Sequence, residues 1–344
     1  MFLAYLGTVT GDERYGDGAE ACLARAAEVA NRLDPFLFYG VTGIAWAHEH
    51  LCGRVLAAND DDLNADTDHL LDGVFDVPGW RQGRAELMYG FSGIGVYLLE
   101  RPTSATRTHL LDRVVDAIAD AAVTTVDGVS WRTFLEPDHI LLGMAHGSGG
   151  IISFLARLIR ETGSQPRAER ILRAAVHGVL CAKLPAEGGF PVGVGDHSPA
   201  RLGWCHGDLG LAVALDAAGR VLGESTWCDE AAAAARRCVA RDPGSGTIVD
   251  HGLCHGGIGV AHLFHQLHLR LGLPELAAAA DRWLAWSFAQ RTEDGIAGVR
   301  TWSSPDRAWK DDPGLLTGAA GVGLGLLTLA GAIEPTWNRV FGLG

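Results

Sequence analysis

Gly147-Ser148-Gly149-Gly150-Ile151-Ile152-Ser153-Phe154-Leu155-Ala156 is the stretch that decides how this chain folds. A glycine pair three residues apart opens it, and an almost wholly apolar run follows. A helix that is apolar on all sides is a buried one. The same opening recurs at Gly40-Val41-Thr42-Gly43, Gly90-Phe91-Ser92-Gly93, Gly207-Asp208-Leu209-Gly210, Gly256-Gly257-Ile258-Gly259 and Gly318-Ala319-Ala320-Gly321. Successive first glycines are 50, 57, 60, 49 and 62 residues apart. A lone Gly-x-x-Gly means little, but six at a common spacing mark an internal repeat. Glycine has no Cβ, so the chain can turn sharply into each helix and backbones can approach closely near an axis.

Between the apolar runs lie amphipathic stretches such as Arg107 to Ala122, Arg167 to Leu184 and Glu230 to Ala240. They carry Arg, Asp and Glu on one face and Ala, Leu and Val on the other, the pattern of outer helices. Strand patterning is confined to Val192–Val194 and Thr247–Val249. Alternating buried and amphipathic helices predict an all-α fold, an α/α toroid forming one domain over residues 1–344. An open solenoid of helical pairs is the alternative, but its helices seldom run apolar on every side. Phe2-Leu3-Ala4-Tyr5-Leu6 before Thr10-Gly11 mirrors Phe154-Leu155-Ala156-Arg157-Leu158 before Thr162-Gly163. The first of about seven repeats therefore reads as truncated, with an upstream extension expected to supply its outer helix and glycine pair.

The composition narrows the function. Twenty-eight Lys and Arg stand against 41 Asp and Glu, a formal charge of −13, whereas nucleic-acid binders usually show a basic stripe. No apolar run is long enough to span a membrane and no signal-peptide pattern opens the chain. Seven cysteines without regular spacing argue against a disulfide framework. These features predict a cytoplasmic protein whose cysteines are buried, metal-binding or nucleophilic.

In a toroid, equivalent positions of the inner helices converge on the central cavity. The two residues before each glycine pair are Phe38-Tyr39, Met88-Tyr89, Ala145-His146, Cys205-His206, Cys254-His255 and Leu316-Thr317. Sulfur and imidazole thus gather in three consecutive repeats. Zinc takes Cys and His in tetrahedral sites, and catalytic sites keep three protein ligands and one open position. Cys205, Cys254 and His255 would supply such a set; a closed four-ligand site using His206 is the alternative. His48 and His50, and the run His262, His265 and His268, read as polar faces of helices.

Trp204-Cys205-His206-Gly207 and Cys254-His255-Gly256 resemble the paired zinc motifs of LanC-type lanthionine cyclases, and Gly143-Met144-Ala145-His146-Gly147 resembles that family's Ala-His-Gly motif. The likeness runs from Met1 to about Leu329. It implies an α/α toroid holding zinc on Cys205, Cys254 and His255, with His146 as acid or base and Arg201 as the active-site arginine. Glu86 falls where well-known members carry Asp, and His206 where many carry Tyr. The family also implies a dehydrated precursor peptide as substrate, and a dehydratase and an exporter as partners.

The chemistry that follows is addition of a peptide thiolate to dehydroalanine or dehydrobutyrine in the same peptide. A metal-coordinated thiol is deprotonated, Arg201 would steady the enolate, and His146 would protonate its α-carbon. Glu86 reads either as the partner of His146 or as a solvated helix-start carboxylate. Glycoside hydrolysis would need two facing carboxylates, which do not dominate the axis positions. Prenyl transfer would need an Asp-Cys-His zinc set. A zinc-holding peptide- or glutathione-binding module is the non-enzymatic rival.

Overall fold

The computed structural model describes residues 1–344 apart from 59–60, 81–82, 126, 134, 186–187 and 246. Its helices come in pairs. α1 (Phe2–Thr10) and α2 (Glu13–Ala27) lead to α3 (Val41–Leu51) and α4 (Ala65–Val74), then to α5 (Phe91–Glu100) and α6 (Ala105–Asp120). A hairpin of β1 (Val123–Thr125) and β2 (Gly128–Ser130) precedes α7 (Ser148–Thr162), α8 (Pro166–Cys181), α9 (Asp208–Leu222) and α10 (Ser225–Val239). α11 (Gly257–Leu271) and α12 (Pro274–Ala289) follow. A second hairpin, β3 (Thr301–Ser303) and β4 (Ala308–Lys310), separates them from α13 (Ala319–Leu329) and a 3-10 helix at Pro335–Phe341.

The odd-numbered helices form an inner ring: α3 packs on α5, α5 on α7, α7 on α9, α9 on α11, α11 on α13, and α13 on α1. The remaining junction is bridged by Tyr5 Oη and His50 Nε2, 2.8 Å apart. Each even-numbered helix lies against the inner helix it follows. This is the α/α toroid that the repeat predicts. Sequence character and position agree. All ten residues of α5 are buried, whereas α6 buries one face through Leu110, Leu111, Val114, Val115, Ala117 and Ile118. Each such leucine contributes about 1.5–3 kcal/mol by leaving water. Ser104 caps α6 by accepting from the Arg107 N–H, a bond worth about 1 kcal/mol.

The glycine pairs have one geometric cause. In all six repeats a Cβ on the second glycine would fall 1.8–2.7 Å from the carbonyl oxygen six residues earlier, closest at Gly321. No side chain fits there. The same loops are stitched to one another around the axis. The Phe38 N–H donates to the Met88 carbonyl (3.1 Å), Met88 to Ala145 (3.3 Å), Ala145 to Cys205 (3.4 Å), Cys205 to Cys254 (3.3 Å) and Cys254 to Leu316 (2.9 Å). This ladder puts the two residues before each glycine pair at one level of the ring. At Gly143 a Cβ would sit 1.9 Å from the Cys205 carbonyl oxygen, so the ladder itself demands glycine there.

Two expectations need correction, one on strands and one on histidines. Val192–Val194 and Thr247–Val249 are not strands; Gly193 makes an isolated bridge to Leu141 and the hairpins lie elsewhere. Pro191 and Pro199 flank the first segment, and proline lacks the N–H a ladder needs. His50 and His262 are buried rather than on polar faces. His50 is held between Tyr5 and Glu100, and His262 stacks on Trp337 with ring centroids 5.0 Å apart. Beside α1, Phe2, Leu3, Ile258, Val322 and Leu326 line an apolar groove of about 620 Å³. No helix is long and apolar enough to cross a membrane among the described residues.

Candidate metal centre

The N-terminal ends of α9 and α11 carry the sulfur donors. Cys205 and Cys254 are 5% and 6% exposed, on loops joined by the Cys205-to-Cys254 rung of the ladder. One donor atom each from Cys205, Cys254 and His255 lie within 4.8 Å of one another, and Cys205 Sγ is 3.9 Å from His255 Nδ1. Two ligands of a tetrahedral zinc, one sulfur and one nitrogen, would stand about 3.6 Å apart given ordinary bond lengths. Two soft sulfurs and an imidazole, gathered at that spacing and shielded from water, fit zinc. His206 is not among the converging donors, so the described residues form the open three-donor arrangement rather than the closed four-donor one.

The two thiols are hydrogen-bonded to each other. The hydrogen bond from Cys254 holds the Cys205 thiol well below its ordinary value, against the effect of burial, with His255 and His206 adding to the lowering. Cys254, which donates that bond and is buried beside a negative neighbour, is pushed well above it.

His146 and Glu86 come from neighbouring loops and meet. Glu86 is 2% exposed, which removes its reading as a solvated helix-start carboxylate. Its carboxylate accepts from the Met88 N–H at 2.7 Å and the Tyr89 N–H at 2.9 Å. The same carboxylate lies 3.3 Å from His146 Nδ1. That nitrogen is buried and forms no hydrogen bond. A carboxylate pinned by two backbone donors is a fixed negative charge against which the imidazole is oriented.

Arg201 reaches in from the other side, its Nη2 3.8 Å from Cys205 Sγ. With Val192, Asp196, Ser198 and His206 it lines an open cleft of about 540 Å³. His206 is held below its ordinary pKa by burial, with Arg201 and His146 adding to the lowering and Cys205 opposing it. Its Nδ1 is buried without a hydrogen-bond partner among the described residues. The structure therefore brings all seven expected residues to one end of the ring: three converging donors, a histidine–carboxylate pair, an arginine and a neutral histidine.

A family model described as "Lanthionine synthetase C-like protein" matches residues 1–341. The chain belongs to the lanthionine synthetase C-like family. Among solved structures, this family member is similar to nisin cyclase, with a TM-score of 0.79 over 99% of this chain and 89% of that one. Sequence identity there is 17%, so the likeness is one of fold. Glutathione S-transferase LANCL1 of Danio rerio is 26% identical over 193 residues, which are 53% of this chain and 46% of that relative. The match spans about half of that relative's length.

The sequence reading passed over two residues at this end of the lanthionine synthetase C-like ring. Tyr39 and Tyr89 occupy the same register as His146, His206 and His255, immediately before a first glycine. Tyr89 stacks on His146, with centroids 5.4 Å apart and planes at 25°. The register was the available signal.

Proposed function

We propose that this protein is a zinc-dependent lanthipeptide cyclase, joining a peptide cysteine to a dehydroalanine or dehydrobutyrine of the same peptide through a thioether. The observation that carries this reading is the convergence of Cys205, Cys254 and His255 beside an oriented His146–Glu86 pair. Zinc held by those three residues would lower the pKa of an incoming thiol so that it reacts as thiolate at neutral pH.

The remaining work falls to the chain. When sulfur bonds to the β-carbon, the π electrons of the dehydro residue move onto its carbonyl oxygen as an enolate. Arg201, beside the Cys205 sulfur, offers a permanent positive charge to that oxygen without reorganisation. His146, oriented through Nδ1 by Glu86, gives a proton to the α-carbon. The proton released by the thiol restores the imidazolium, so the addition is balanced. His206, held neutral by burial, is a reserve base for that return. The partners that follow are a dehydrated precursor peptide, the dehydratase that makes it and an exporter.

A second reading is favoured by the relative named for glutathione transfer: the same thiol chemistry with glutathione as donor and a separate electrophile. One experiment tests both. The purified protein is analysed for metal, then incubated with a dehydrated cysteine-containing peptide, with and without glutathione. Free thiols are alkylated and the products weighed by mass spectrometry. Ring closure without glutathione, in a protein holding about one zinc per chain and lost together with zinc in Cys254→Ala, is the expected outcome. An active, metal-free wild type overturns the zinc reading. Glutathione adducts without rings favour the second one.

A further inference from the structure

The ring at this end is built from one register position repeated six times. The residue before each first glycine is Tyr39, Tyr89, His146, His206, His255 or Thr317, and the ladder holds the residues beside them at one level. The histidines serve the chemistry proposed above. The two tyrosines complete the same ring and have no role in it.

Their geometry is ordered. Tyr89 stacks on His146 at 5.4 Å and 25°, and Tyr39 stacks on Tyr89 at 6.5 Å and 28°. Phe36 meets Tyr89 edge-on at 5.3 Å. A strip of aromatic faces thus runs from the rim of the ring to His146.

Tyr39 is the anomalous member. Its φ is +61°, and none of its five counterparts in the register has a positive φ. A bulky residue in the left-handed region is a genuine outlier, costing about 1–3 kcal/mol. Burial does not compensate, because Tyr39 is 72% exposed. Its neighbour Phe38 does the packing instead, against Trp204 and Phe341. Glycine or asparagine would hold the same backbone at less cost. A strained, exposed aromatic ring in line with the site is retained for something it touches.

We propose that Tyr39 and Tyr89 are the acceptor platform of the cyclase site, the surface on which the planar dehydro residue and its flanking peptide groups stack. The inference rests on the cyclase reading and deepens it. A dehydroalanine with its two adjoining peptide bonds is a flat π system, and aromatic faces take such groups in offset stacks. Laid on the strip, the acceptor has its α-carbon at the His146 end and its open face toward the thiol cluster. That arrangement restricts the approach of sulfur to one side. Tyr39 and Tyr89 are positioning residues, and they select unsaturated residues over the serines and threonines from which these derive.

The test separates binding from turnover and from stability. The zinc-loaded wild type, Tyr39→Gly and Tyr39→Asn are titrated by fluorescence anisotropy. One labelled peptide is dehydrated with its cysteines replaced by alanine; the other is its undehydrated counterpart. Both variants should melt at or above the wild-type temperature and keep their metal, because they relieve the left-handed strain. Both should bind the dehydrated peptide about ten-fold more weakly, with little change for the undehydrated one. Tyr39→Phe, which keeps the ring, should restore binding. Unchanged affinity in Tyr39→Gly and Tyr39→Asn overturns the inference alone, as does an equal loss for both peptides. A wild type that binds neither peptide overturns the cyclase reading and this inference with it.

Discussion

At the C-terminal ends of the inner helices, buried charges meet in an ion-pair network. Glu100, on α5, has a fully buried side chain that accepts from His50 at 2.9 Å, from Arg157 at 3.1 Å and from Arg54. His50 passes the network to Tyr5, and Tyr5 to Thr336 at 2.9 Å. At the N-terminal ends the buried polar groups gather around two thiols: Glu86 faces His146 Nδ1 at 3.3 Å, His206 Nδ1 makes no hydrogen bond among the described residues, and Tyr39 holds a strained backbone. The same helices bear both ends. On the proposed function, chemistry belongs to one end and stability to the other.

Substitutions at the two ends should therefore act on different quantities. The largest effect is expected at His146→Ala. Ring closure should fall about 10²–10⁴-fold, while zinc content and melting temperature stay near wild type. Mass spectrometry after thiol alkylation measures the first and calorimetry the second. A melting temperature that falls with the rate would mean that this end also carries the fold.

Glu100→Gln is the mirror case. It leaves Arg157 and Arg54 facing a neutral amide, and breaking a buried ion pair costs about 3–5 kcal/mol. Chemical denaturation should register that loss, with turnover per folded molecule unchanged.

Acid should act on stability first through His262, buried in the first half of α11. Burial, reinforced by His265, pushes His262 down to about 3, so the folded state keeps it neutral while the unfolded chain takes up a proton below its ordinary 6.5. Stability is then lost as pH falls through 6.5, by about 2 kcal/mol between pH 7 and 5. His262→Phe, which can keep the stack on Trp337, should flatten that slope in denaturation curves. Glu100 acts lower. Burial would raise its carboxyl, but the bond from His50 and the charge of Arg157 outweigh this and hold it well below the ordinary 4.5. Its contribution is present above that pH and fades as pH falls further.

The smallest effect belongs to Tyr5→Phe. It removes one hydroxyl bridging His50 and Thr336, and about 1 kcal/mol of stability should go with it. A loss several times larger would show that the bridge between α1 and α3 holds the ring closed.

The two ends also differed in legibility. Cys205, Cys254, His255 and His146 could be read because each precedes a glycine pair, and the glycines recur for a steric reason that one repeat shares with the next. The Glu100 network is as regular in position, since His50, Glu100 and Arg157 each stand ten residues after a first glycine and Arg54 alone does not, but its residue types carry no metal-binding motif to draw notice. His50 and His262 were misread because helical periodicity shows which face a residue occupies, not whether a partner waits there. The two hairpins lie in linkers between repeats, where nothing in the periodic pattern bears on them. Tyr39 was in register and unread, since a left-handed backbone leaves no mark on residue type.

The backbone ladder around the axis has a kinetic meaning. Its five rungs close loops set by the spacing of the repeats, 49 to 62 residues between first glycines. Loop-closure entropy grows only with the logarithm of length, so the longest and shortest differ by about 0.2 kcal/mol. No rung is favoured as the place to begin, and folding can start at any lip and zip in either direction. The rung from Cys205 to Cys254 closes like the others, by backbone bonding alone. Folding thus delivers the two sulfurs to each other before any metal ion need arrive.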